Sequence, residues 1–164
     1  MTDKVEQCTQ ITSDKNFFII DDNEQNPPYI VEKNGEFEII NNNEKQLSFV
    51  AIDSCIYDSQ DDTRADCAIY DDKTFCFIEL KHSKRTSWKR HRITAEKQLK
   101  NTINNFQSLD IIKNKRLEAY MCCTCTLGKE YTKIKKASNK NEIIRYFDKT
   151  LNTNLYCDNK KEFN

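Results

Sequence analysis

The stretch ADCAIYDDKTFCFIELK, residues 65–81, constrains this chain more than any other. Its two arms, 65–70 and 74–81, alternate as a β-hairpin around the polar turn Asp71-Asp72-Lys73, yet apolar residues fill both alternating sets. Ala68, Tyr70, Phe75 and Phe77 fall on one face, and Cys67, Ile69, Cys76, Ile78 and Leu80 on the other. Strand side chains two apart point the same way, so neither face is solvated and the hairpin belongs in the middle of a covered sheet. Asp66, Glu79 and Lys81 interrupt that pattern, all three on one face at one end of the hairpin. A two-residue turn makes Glu79 the diagonal neighbour of Asp66, whereas a four-residue turn sets the two directly opposite each other.

Carboxylates held against an apolar surface cost on the order of several kcal/mol each unless they are paired or bind a metal. Two compensations are open. Lys81 can form an ordinary ion pair with Asp66 or Glu79 at the solvent end of the sheet, which stabilises little. Alternatively, Asp66 and Glu79 supply the oxygen ligands that Mg²⁺ or Mn²⁺ prefers, with Lys81 positioning a nucleophile or stabilising developing charge.

The rest of the chain reads as an α/β protein. NFFII (16–20) and LSFVAID (47–53) are strand candidates, and YIVEKNGEFEII (29–40) reads as a hairpin around Asn34-Gly35, because that dipeptide suits a type I′ turn. From Ser87-Trp88 onward, Ala95, Leu99, Ile103 and Phe106 recur at helical spacing. RLEAYMCCTC (116–125) is a strand, NEIIRYFDKTL (141–151) a helix and NLYC (154–157) a last short strand. At 164 residues, a compact fold buries about 70% of the unfolded surface, enough for one domain with a real core. No apolar run approaches the roughly 20 residues that cross a bilayer, and the first residues lack a signal-peptide core, so the expectation is a cytoplasmic protein with no membrane partner.

The net charge of zero conceals an asymmetry: residues 1–72 carry 17 acidic and 5 basic side chains, and residues 73–164 carry 9 acidic and 21 basic. The densest basic segment, 81–100, holds eight Lys or Arg, two His and a single acid, Glu96. Such a stripe suits a polyanion, since neutralising phosphates releases counterions. Of the eight cysteines most lie in apolar runs and, in a cytosolic chain, read as buried thiols rather than disulfides. Cys122 and Cys125 form a CxxC, but without a second pair at zinc-site spacing a zinc-stabilised interaction domain is a minor alternative.

Asp66, twelve intervening residues and then Glu79-Leu80-Lys81, set between apolar strands and followed by a helix, resembles the PD-(D/E)XK nuclease superfamily. IDSCIYDSQDDTRADCAIYDDKTFCFIELKH with the later AEKQLKNTI looks like small bacterial members with a CDY-hairpin-FIELK-helix arrangement. The resemblance covers roughly residues 47–125. It implies a restriction-endonuclease-like α-β-β-β-α-β core, with a mixed central sheet flanked by helices, and Mg²⁺- or Mn²⁺-dependent hydrolysis of nucleic-acid phosphodiesters. By position, Asp66 matches the acid of the second core strand, Glu79 that of the third, and Lys81 the lysine. Ala65 stands where the motif's proline would be. Asp53 is the candidate for an additional upstream acid, ahead of Asp58. Gln98 fits the first position of a Gln-x-x-x-Tyr pattern found in some branches, with Thr102 in place of the tyrosine.

The expected organisation is an acidic extension carrying the added N-terminal β-hairpin over residues 1–45, followed by a nuclease-like domain over 46–164. Lys84, Arg85, Lys89, Arg90 and Arg92 would contact phosphates, and Trp88 would stack on a base. His82 and His91 read as added charge rather than as catalysts. DNA is the favoured substrate over RNA, in a setting such as bacterial antiviral defence, with a protein partner or a homodimer as further expectations. The alternative is a catalytically inactive nuclease-fold subunit that binds nucleic acid or a partner protein.

Overall fold

The computed structural model describes residues 1–22, 26–57, 64–82, 88–127, 130–133 and 140–164. Lys84, Arg85 and Asp58 lie outside them, as do the side chains of His82, Trp88 and Lys89.

The central hairpin forms as the alternation predicts. β6 (Cys67–Tyr70) and β7 (Thr74–His82) pair antiparallel in the register Tyr70↔Phe75 and Cys67↔Ile78. This is the four-residue turn. Asp71 builds it locally: its Oδ1 accepts hydrogen bonds from Lys73 N at 2.9 Å and Thr74 N at 2.7 Å, and its own N–H donates to Thr74 O at 3.1 Å. β5 (Leu47–Ala51) pairs antiparallel on the far side of β6. After β7 the chain crosses over through helix α2 (Trp88–Phe106) to β8 (Arg116–Leu127), which runs parallel to β7. A second crossover, through α3 (Lys140–Leu151), brings β10 (Thr153–Tyr156) parallel to β8. β1 (Thr9–Thr12), preceded by the short helix α1 (Thr2–Gln7), adds antiparallel to β5, and β9 (Glu130–Lys133) pairs with β8. Among the described residues this is a seven-stranded mixed sheet in the order β1-β5-β6-β7-β8-β10, with β9 off that path beside β8.

Both faces of the hairpin are covered, by different layers. Ala68, Phe75 and Phe77 join Ala95, Leu99, Ile103 and Phe106 of α2 and Phe147 and Leu151 of α3 in one core. The four α2 residues are fully buried, as their spacing requires. Removing each large apolar side chain from water in this way stabilises the fold by about 1.5–3 kcal/mol.

The opposite face is covered not by helices but by a second sheet. Cys67, Ile69, Cys76, Ile78 and Leu80 pack against Phe17, Ile19, Phe37, Ile39 and Phe163. That sheet has the order β11-β4-β2-β3, with β2 (Asn16–Ile20), β3 (Tyr29–Val31), β4 (Phe37–Ile40) and β11 (Lys160–Glu162). The expected 29–40 hairpin is therefore absent: β3 and β4 flank β2 on either side, each antiparallel to it. The connection steps across β2, and at its closest a Cβ on Gly35 would lie 2.4 Å from Phe18 Cβ. Asn34 alone of the pair takes a left-handed φ, 62°, so the type I′ geometry that needs two such residues does not form. The N-terminal strands thus form a layer over the central sheet instead of a projecting hairpin, and the C-terminal β11 completes it in parallel with β4. Between the sheets, Glu118 accepts hydrogen bonds from Lys161 Nζ at 2.7 Å and Tyr120 Oη at 2.8 Å, which compensates a buried charge.

The cysteines depart from expectation at one pair. Cys8 and Cys55 form a disulfide with Cα atoms 5.9 Å apart. Pairing of β1 with β5, together with the Ala51 N to Cys8 O hydrogen bond at 3.1 Å, carries Cys8 alongside the turn that follows β5. Cys67, Cys76, Cys122 and Cys123 are buried free thiols. No helix among the described residues is long and apolar enough to cross a membrane.

Candidate functional site

The register that sets Cys67 opposite Ile78 carries Asp66 to the position opposite Glu79, one step beyond the end of β6. Asp66 is anchored twice. Its carbonyl accepts from Ile52 N and Asp53 N, both at 3.0 Å, and its Oδ2 accepts from Leu80 N at 2.5 Å. The backbone of the neighbouring strand thereby aims one carboxylate at the other.

Burial is severe. Asp66 is 3% exposed and Glu79 is 0% exposed, and Glu79 Oε2 accepts no hydrogen bond among the described residues. Lys81, one fifth exposed, forms an ion pair with Glu79 Oε1. Desolvation dominates the electrostatics. It pushes the Asp66 carboxyl up to about 7, against the opposing pull of the Lys81 charge and the Leu80 N–H. Burial, followed by the Asp66 charge, holds the Glu79 carboxyl well above its ordinary range, with Lys81 opposing. Burial also disfavours the charge on Lys81, but Glu79 and Asp66 outweigh it and keep that ammonium above its usual range. Two carboxyl groups that resist ionising together beside a single ammonium have one positive charge too few, so a hard cation fits them.

Asp53 is engaged by a cationic side chain. Its Oδ1 receives Arg64 Nε at 2.6 Å, and among the described residues no three His, Cys, Asp or Glu side chains converge closely enough to hold a metal. Its charge nonetheless acts on both Asp66 and Glu79. Gln98 lies alongside: its Nε2 donates to Arg64 O at 2.9 Å, while its Oε1 is buried without a partner among the described residues. Thr102, standing where the resemblance would put a tyrosine, clamps the same segment. Its hydroxyl accepts from Ala65 N at 2.6 Å and donates to Gln98 O at 2.9 Å. Of the basic residues of α2, Arg90 is exposed and Arg92 and His91 are half-buried.

Three residues near this centre carried no prediction. Arg64 stands two positions before Asp66, outside β6, and no local pattern ties it to Asp53. Asp21, just past β2 in the other sheet, acts on both Asp66 and Lys81 through its charge, and nothing in the sequence joins it to them. Cys123 pairs with Lys81 across β7 and β8, where burial and then Cys157 push its thiol up to about 12, a protonated and unreactive group. The other CxxC member described, Cys122, lies in the core facing the second sheet, where its Sγ donates to Glu36 O at 3.4 Å.

No protein-family model, curated protein or solved structure matches this chain.

Proposed function

We propose that this chain is a divalent-cation-dependent nuclease of the PD-(D/E)XK type, with a restriction-endonuclease-like core, that hydrolyses phosphodiester bonds, in DNA before RNA. The observation that carries this reading is the pair Asp66 and Glu79, facing each other across two strands, both buried, with Glu79 Oε2 left without a hydrogen bond. The order β5-β6-β7-α2-β8, with β8 parallel to β7, supports it, because it runs as the β-β-β-α-β part of the core that the motif implies. The second sheet over the face opposite α2 is this chain's own addition.

Asp66 and Glu79 would hold Mg²⁺ or Mn²⁺, which when bound neutralises phosphate charge and acidifies a water. The chain's own groups account for the rest. Leu80 N–H fixes the Asp66 carboxylate, so one ligand is preorganised. Lys81, ion-paired with Glu79, would supply an ammonium beside the pair to position an attacking water or stabilise developing negative charge. The small sheet and the helices exclude water from both faces below the site, which strengthens each of these interactions.

The test is cleavage of labelled single- and double-stranded DNA and RNA with Mg²⁺ or Mn²⁺, comparing the wild type with Glu79→Ala and Lys81→Ala after each is shown to fold. Metal-dependent cutting that both substitutions abolish is the expected result. A wild type that binds Mn²⁺ yet cuts none of the four substrates would overturn the enzymatic reading in favour of a nucleic-acid or protein-binding subunit.

A further inference from the structure

Arg64 is an unusual residue to find at a site built for a cation. Its side chain is 8% exposed, and its Nε meets Asp53 Oδ1 at 2.6 Å. Its backbone is held too: Gln98 Nε2 donates to Arg64 O, and the next amide, Ala65 N–H, donates to the Thr102 hydroxyl. α2 therefore fixes the backbone at Arg64, while burial and the bond to Asp53 hold the guanidinium.

Asp53 is the residue that would complete a three-carboxylate centre, and its carboxylate is already occupied by a fixed positive charge. A metal ion that recruited Asp53 would have to compete with the charge-assisted hydrogen bond that Arg64 makes to it. Glu79 Oε2, by contrast, is fully buried and has no hydrogen bond to displace among the described residues. The cation-accepting capacity therefore lies with Asp66 and Glu79, whereas Asp53 Oδ1 is already engaged by Arg64.

We infer that Arg64 is a positioning residue that stands in for a second metal ion: by holding Asp53, it limits the centre to a single divalent cation on Asp66 and Glu79. This rests on the proposed nuclease reading, since it takes the Asp66 and Glu79 pair as the cation site.

The experiment is titration of the full chain with Mn²⁺, followed by calorimetry and by the Mn²⁺ magnetic-resonance signal, for wild type, Arg64→Met, Arg64→Lys and Asp53→Asn. The inference expects one Mn²⁺ per wild-type chain, a second in Arg64→Met, and one again in Arg64→Lys, where the charge is restored. Asp53→Asn should keep one, and this variant decides the matter even if Arg64→Met fails to fold. Two Mn²⁺ in the wild type, one in a folded Arg64→Met, or none in Asp53→Asn would each overturn the role of Arg64 while leaving the cation site in place. No Mn²⁺ in the wild type would overturn both the role of Arg64 and the nuclease reading beneath it.

Discussion

Reducing the Cys8–Cys55 disulfide should cost this protein a large part of its stability, and the structure sets the size of the effect. The bridge closes a loop with a sequence separation of 47 residues. In the chain-entropy treatment, a cross-link of that length removes about 14 cal/mol/K from the unfolded ensemble, or about 4 kcal/mol at room temperature. A protein of this length shifts its melting temperature by about 2–4 °C per kcal/mol, so the expected drop is about 8–16 °C. The folded state loses little when the bond opens, because α1 keeps its buried Val5, the Ala51 N to Cys8 O bond and the Lys4 Nζ to Ile56 O bond. The residues that loosen are 52–57, whose Ile52 and Asp53 amides hold the Asp66 carbonyl, so weaker Mn²⁺ binding should accompany the lower melting point. Thermal and urea unfolding with and without a dithiol reductant measures the first effect, and Cys55→Ser, which should be indifferent to the reductant, is its control. A wild type that gains two hydrogen atoms in mass on reduction but melts within about 2 °C of the oxidised form would refute the loop-entropy argument.

Three further outcomes are expected. Because Asp66 binds its proton up to about pH 7 when folded but only to its ordinary value of 3.8 when unfolded, the folded state holds more protons in that window. Metal-free stability should therefore fall as pH rises from about 4 to about 7, and saturating Mn²⁺ should flatten the slope; melting curves across pH in chelator and in Mn²⁺ read both. Glu79→Gln removes a carboxylate that burial disfavours, so at mildly alkaline pH without cations it should melt higher than wild type, while Mn²⁺ no longer stabilises it. Gly35→Ala would set a Cβ 2.4 Å from Phe18 Cβ and 2.9 Å from Ile19 O, and urea unfolding should show a loss of about 1–3 kcal/mol from overpacking.

What the sequence revealed followed from how local the signal was. The 65–81 hairpin, the α2 face and the 116–125 and 154–157 strands all carry their own periodicity, and each forms within a few residues of its predicted bounds. Charges on an otherwise apolar strand exposed the Asp66, Glu79 and Lys81 group, and the observed turn chose between the two registers that the sequence left open. The failures were all non-local. Asn34-Gly35 marks a bend, but nothing within 29–40 says that β2 will slot between the two arms. Lys-Lys-Glu has no apolar alternation, so β11 is a strand only because β4 offers it an edge. The Cys8–Cys55 bridge depends on β1 reaching β5, a pairing that TQIT does not advertise. Lys81 pairs with Glu79 as one of the two expected compensations, whereas the Arg64 pairing with Asp53 answers to a contact between two loops and was not foreseen.

The placement of β11 also sets a timetable for making the protein. The second sheet lines up strands far apart in sequence, with Lys160–Glu162 beside Phe37–Ile40, so during synthesis it waits until residues 160–163 have left the ribosome. Until then the face bearing Cys67, Ile69, Cys76 and Ile78 lacks Phe163, and the buried Glu118 lacks Lys161. The hairpin that presents Asp66 and Glu79 can form early, because it is local, but its cover closes late. A nascent chain is thus kept from a fully covered hairpin until β11 has been made.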